Sequence, residues 1–194
     1  AKHVIDDLSG RVDMIIDGGS CEIGLESTIV KLDGTKATLL RPGAITADAL
    51  SCVCTEVEIA PSVLEQLKEN ERPLSPGMKY RHYAPKGNLT IVSGDSADVV
   101  AYINEASDAA AKEGKRTGVL CTQETMHLYQ ADSIKCLGTR NDESTVAQGL
   151  YQILRECDDE GLEVMFAESF STQGIGQAIM NRLLKAAGYQ MVEL

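Results

Sequence analysis

From Leu89 to the C-terminus, short apolar runs alternate with amphipathic stretches, and this alternation constrains the fold more than any other feature of the chain. LTIVSG (89–94), TGVLCT (117–122), SIKCLG (133–138) and VMFAES (164–169) read as buried strands rather than half-exposed ones. Helices are predicted over about 97–112 and 144–158, and GIGQAIMNRLLKAAG (174–188) reads as a closing helix. In that helix Ile179, Leu183 and Ala187 are spaced to line one side, and Gly188 is a natural stop. Strands separated by helices must run parallel, because a parallel pair needs a long crossover between its members. The expected product is a small Rossmann-like parallel-sheet domain over residues 88–194.

The preceding residues carry a different rhythm. MIIDGG (14–19), STIVKL (27–32) and ATLLRPG (37–43) read as short strands and turns, with a hairpin signal at Asp33-Gly34. ITADALSCV reads as a short helix with Thr46 as its N-cap. A second helix is expected within SVLEQLKEN, where Val63, Leu64 and Leu67 share a face. Between the two regions lies SPGMKYRHYAP (75–85). Pro76 and Pro85 prevent a continuous helix there, and Gly77 permits a turn. Lys79, Arg81 and His82 stand among Tyr80 and Tyr83, a combination suited to an anionic, ring-bearing ligand such as a nucleotide. The competing reading is a strap whose rings pack on a neighbouring element.

Charge and cysteine content narrow the function classes. A formal net charge of -11 argues against tight nucleic-acid binding, which needs Lys and Arg to displace counterions. No apolar run reaches the roughly 18 residues of a membrane helix, so no membrane role is expected. The six cysteines are scattered apart from one C-x-C pair, which predicts reduced thiols, a cytoplasmic location and no metal centre. Composition leaves oligomeric state open, and a homo-oligomer is compatible with it.

Within the first region, GLESTIVKL places Glu26, Ser27 and Thr28 at a strand entry, where hydroxyls suit a polar ligand or a simple turn. Arg41 ends the next strand before Pro42-Gly43, and its planar fork suits phosphate or a surface salt bridge. Fourteen residues apart on a hairpin, Ser27 and Arg41 are placed to face one cleft. GGSCEIG (18–24) does not open a helix after a strand and is rejected as a dinucleotide fingerprint. FSTQGIGQAI (170–179) puts glycines before a helix N-terminus, suited to an anion or to close packing. The acidic run Cys157 to Glu160 reads as a solvated helix end.

Together, DGGSCEIGLESTIV (17–30), LLRPGAIT (39–46), SPGMKYRHYAP and GIGQAIMNRLLKAAG resemble the threonylcarbamoyl-AMP synthase family in its long, two-domain form. The resemblance implies an α/β chain. Residues 1–72 would be the C-terminal portion of a YrdC-like catalytic domain, a partial twisted mixed sheet with helices. Residues 73–87 would be a junction loop, and 88–194 the Rossmann-like domain. The implied reaction joins L-threonine, bicarbonate and ATP, accompanied by magnesium, to give threonylcarbamoyl-AMP and pyrophosphate for tRNA threonylcarbamoyladenosine modification. Carried over by motif, Ser27 would contact threonine and Arg41 the nucleotide phosphate. Tyr80, with His82 and Tyr83, would reach over the nucleotide from a lid. No residue of the chain is implied as a catalytic nucleophile.

The family's Lys-x-Arg and Ser-x-Asn elements are not found; the sole Lys-x-Arg, Lys79 to Arg81, belongs to the junction. Lys31 also stands where the family usually has Asp. The expectation is a truncated chain, inactive alone. Two other classes compete: a nucleotide-binding or partner-docking regulatory module, and a hydrogenase-maturation carbamoyltransferase, whose cysteine pairs are not evident here.

Overall fold

A computed structural model of the chain describes residues 1–19, 21–65 and 84–194. After helix α1 (Lys2–Leu8), a small mixed sheet forms from β1 (Ile29–Asp33), β2 (Lys36–Arg41) and β3 (Glu56–Ile59), in the order β1-β2-β3. β1 and β2 are the expected antiparallel hairpin, with Val30 opposite Leu39. Gly34 in its turn has φ 59°, a conformation a side chain would resist. β3 runs parallel to β2, so the chain must cross back between them. Helix α2 (Ala47–Ser51) makes that crossing, and Thr46 caps it as expected, its hydroxyl accepting from the Ala49 N–H. Leu40, Ala60 and Val63 form the small unit's core, with Ile29 and Leu64 packed beside them.

One expectation for this region changes. MIIDGG forms no strand; Met14 and Ile16 are exposed, and Gly19 N–H turns back to the Asp17 carboxylate at 2.9 Å. An apolar run becomes a strand only beside another strand, and among the described residues none flanks it. A 3-10 turn covers Pro61–Val63, and most of the helix expected within SVLEQLKEN, Leu67 included, lies outside the described residues.

The alternation after Leu89 folds as predicted. β4 (Asn88–Ser93), β5 (Thr117–Thr122), β6 (Ser133–Gly138), β7 (Val164–Glu168) and β8 (Met191–Glu193) form a wholly parallel sheet ordered β6-β5-β7-β4-β8. The intervening helices are α3 (Ser96–Lys112), α4 (Glu143–Asp159) and α5 (Gly174–Ala186). Strand residues alternate between two cores. Leu89, Ile91, Leu120, Met165 and Ala167 pack with α4 and α5, whereas Val92, Val119, Cys121 and Phe166 pack with Val99 and Ile103 of α3. Helices on both faces explain why these strands are apolar throughout instead of alternating. The chain leaves β4 toward one face and β7 toward the other. Because those strands are neighbours, their C-terminal ends flank the sheet's topological switch point.

No helix among the described residues is long and apolar enough to cross a membrane. All six cysteines are free thiols, and burial pushes Cys121 and Cys157 up to about 12, which keeps them inert. Cys157 is therefore a core residue and not part of a solvated helix end.

Candidate functional site

The hairpin register decides where Arg41 goes. It stands opposite Ile29 at the mouth of β1, so its side chain returns to the residues that lead into that strand. The guanidinium Nε–H donates to the Ser27 carbonyl at 2.9 Å, and Nη2 donates to the Ser27 hydroxyl at 3.2 Å. The two residues expected to share a cleft are thus in direct contact. Arg41 is only partly exposed, and among the described residues it spends part of its five-donor fork on Ser27.

The corner is held rigidly. A Cβ at Gly43 would stand 2.6 Å from both the Glu26 carbonyl oxygen and the Thr28 nitrogen, so only glycine lets the Pro42-Gly43 turn lie against that backbone. The Thr28 hydroxyl donates to the Ile45 carbonyl at 2.8 Å and accepts from the Ile45 N–H at 3.2 Å. Thr28 therefore fastens the turn, and its hydroxyl is not offered to a ligand.

Glu26, one residue before Ser27, turns the other way, toward the larger unit. Its carboxylate accepts from the Arg182 Nε–H at 2.5 Å and from the Tyr151 hydroxyl at 2.6 Å. Burial works to raise the Glu26 carboxyl, but the Tyr151 hydroxyl and the Arg182 guanidinium outweigh it and hold it below the ordinary glutamate value. Arg182 also donates to the Pro42 carbonyl at 3.2 Å and to the Asn181 side-chain oxygen, while Asn181 donates to the Val63 carbonyl. Gln148 of α4 adds a hydrogen bond to the Cys21 carbonyl at 3.0 Å. Helix α5, with α4 beside it, thus fixes the small unit, and with it the Ser27–Arg41 corner, against the larger one. Motif reading singled out Ser27 and Arg41 as candidates and did not point to this clamp. Its sequence signal is the polar series Gln177, Asn181, Arg182 and Lys185, which runs beside the apolar stripe of α5 and is buried as deeply.

A second polar centre lies at the switch point, where a cavity of about 250 Å³ is lined by Val92, Gly94, Ser96, Arg140, Glu168 and Ser169. Glu168 is buried, and its carboxylate accepts from Tyr129 at 2.7 Å, Thr122 at 3.1 Å, Arg140 at 2.9 Å and Thr125. Arg140 also donates to the Ser169 carbonyl at 3.1 Å and lies 5.1 Å from the Phe170 ring centroid. Every charge is answered inside this cluster, so it ties strand ends together and offers a ligand little. The glycines before α5 also serve packing: at Gly176 a Cβ would meet the Ser171 carbonyl oxygen at 2.5 Å and the Glu143 carboxylate at 2.6 Å. The Glu143 carboxylate beside this first turn would also repel an anion.

Tyr80, His82 and Tyr83 lie outside the described residues, as does the junction motif up to Tyr83. Among the described residues no cluster of three or more His, Cys, Asp or Glu side chains is placed to hold a metal ion.

Comparison with known proteins gives a consistent result. A family model described as the C-terminal domain of threonylcarbamoyl-AMP synthase matches residues 45–188, and one described as "Telomere recombination" matches residues 1–43. The threonylcarbamoyl-AMP synthase of Bacillus subtilis is 42% identical over 192 residues, covering 99% of this chain and 54% of that protein. The enzyme of the same name from Pyrococcus abyssi is 37% identical over 194 residues, covering 100% of this chain and 55% of its own length. A crystal structure of P. abyssi Sua5 with L-threonine superposes with a TM-score of 0.88 at 36% identity, again over all of this chain and 55% of the other. The chain therefore spans about half the length of these relatives.

Proposed function

The chain belongs to the threonylcarbamoyl-AMP synthase family, and from that membership we propose that its Ser27–Arg41 corner forms part of a site for making L-threonylcarbamoyl-AMP. The observation that carries the reading is the contact between the two motif residues, at a place where both units of the fold meet. In the proposed reaction the threonine amine captures carbon from bicarbonate, forming a carbamate and releasing water. A carbamate oxygen then attacks the α-phosphorus of ATP, the bond to the β-phosphate bridge breaks, and pyrophosphate leaves. The product would supply threonylcarbamoyladenosine modification of tRNA. Such chemistry asks the protein for positioning and charge stabilisation, not for a covalent nucleophile.

In this reading Ser27 contacts the threonine moiety and Arg41 the nucleotide phosphate, with Ser27 also steering the guanidinium. A P. abyssi relative crystallised with L-threonine supports the amino acid as ligand. Magnesium would arrive with ATP, because the described residues offer no carboxylate cluster to hold it. Tyr80, His82 and Tyr83 remain proposed lid residues over the nucleotide. The 194-residue chain has neither the Lys-x-Arg nor the Ser-x-Asn element outside the junction, so it is expected not to turn over by itself. Pyrophosphate release with ATP, magnesium, L-threonine and bicarbonate should stay at the level of a protein-free control. Threonine-dependent release well above that control would show that these 194 residues hold a complete site.

A second reading, a nucleotide-binding regulatory module, draws on the switch-point cavity beside β4 and β7. The pairing of Arg140 with Glu168 makes it the weaker of the two.

A further inference from the structure

Arg182 answers Glu26, yet one turn further along the same face of α5 stands a cation with no direct partner among the described residues. Lys185 is 7% exposed, and among the described residues its ammonium makes no hydrogen bond or ion pair. Residues three apart on a helix are neighbours, so Lys185 lies beside the guanidinium that grips Glu26 and the Pro42 carbonyl. The charges acting on Lys185 are Arg182 and Arg41, which repel it, and Glu26, which attracts it. Glu26 is already shared between Arg182 and Tyr151.

Three cations therefore converge on one carboxylate, in a chain whose formal net charge is -11. A charge left with little solvent and no direct partner is costly to hold, which makes Lys185 an unusual choice for this position. Simple packing does not explain the choice, because a methionine would fill the same space without a charge. Among the described residues the arrangement carries two positive charges in excess of neutrality. A monovalent carboxylate such as that of an amino acid would cover half the excess; a phosphate-bearing group covers it.

We propose that Lys185, with Arg182 beside it, extends the Arg41 corner into an anion site for a pyrophosphate or nucleotide phosphate group held between the two units of the fold. The proposal rests on the nucleotide reading of Arg41 and adds to it a contribution from the larger unit. It gives the family's C-terminal domain a direct part in ligand binding, beyond supporting the fold. The state of Lys185 without ligand agrees: burial first, then Arg182, lowers its ammonium to about 8. An arriving anion would hold the proton on, so binding near pH 8.5 would take up protons. The groups that set this titration are Arg182 on the same helix and Glu26 and Arg41 on the facing corner.

Calorimetry with inorganic pyrophosphate on the 194-residue chain, alongside Lys185→Met, Lys185→Gln and Arg41→Ala, tests the proposal. Wild type should bind pyrophosphate with proton uptake at pH 8.5, read from two buffers of different ionisation enthalpy. Both Lys185 variants should bind at least tenfold more weakly and lose the uptake. Ligand-free Lys185→Met should melt at or above the wild-type temperature, because it removes an unanswered charge; Lys185→Gln serves should it fail to fold. Unchanged pyrophosphate affinity in the Lys185 variants would overturn the proposal. Were Arg41→Ala weakened in that same series, the nucleotide reading would stand without it, and were Arg41→Ala unchanged too, both would fall. No binding of pyrophosphate by wild type would also overturn it.

Discussion

An Arg182→Met chain is expected to lose roughly 3–5 kcal/mol of stability, the usual cost of removing one partner from a buried ion pair. Arg182 is 4% exposed, and its fork ties together Glu26, the Pro42 carbonyl and Asn181. Methionine keeps most of the volume, so the loss measures the polar clamp and not a cavity. Urea unfolding should show the smaller unit detaching early, as a separate transition or a reduced slope. A loss below about 1 kcal/mol would mean that the clamp behaves like an exposed pair. Acid offers an internal check. The Glu26 carboxyl sits below its unfolded value of 4.5, so its stabilisation is full above that pH and is lost as pH falls through the folded pKa. Wild type and Arg182→Met should therefore converge in stability in strong acid and separate toward neutrality.

The second large effect is expected at the switch point. Glu168→Leu should cost about 3 kcal/mol or more, because it leaves several donors without their acceptor in a buried place. The hydroxyls of Thr122, Thr125 and Tyr129 all turn to this carboxylate, and Arg140 pairs with it. Burial and the Glu168 hydrogen bond push the Tyr129 phenol above its usual range. Alkaline titration followed by tyrosine absorbance should then show one tyrosine that ionises only as the protein unfolds. In Glu168→Leu that tyrosine should titrate earlier. A variant as stable as wild type would remove this cluster's structural role and reopen the cavity as a ligand site.

Long apolar strands with helices between them announce a parallel sheet whatever their neighbours, and β4, β5, β6 and β7 emerged close to their expected bounds. β3 and β8 were not legible. EVEI and MVE are short and carry charge, and they are strands only because β2 and β4 present open edges to them. MIIDGG failed for the converse reason, having strand-forming residues but, among the described residues, no edge beside it. At the site, the fourteen-residue spacing of Ser27 and Arg41 fell within one hairpin, so register alone brought them together. Glu26 and Arg182 are 156 residues apart and meet through packing, which no local pattern encodes. The readable trace of that meeting was a helix too polar on its second face for a purely apolar partner.

Amide chemical-shift mapping of the 194-residue chain with magnesium-ATP and L-threonine tests the central claim most directly. The account predicts shifts centred on Ser27, Thr28, Arg41 and Gly43, extending across the clamp to Arg182 and Lys185. Shifts confined to Gly94, Ser96, Arg140 and Ser169 at the switch point, or none at all, would contradict it.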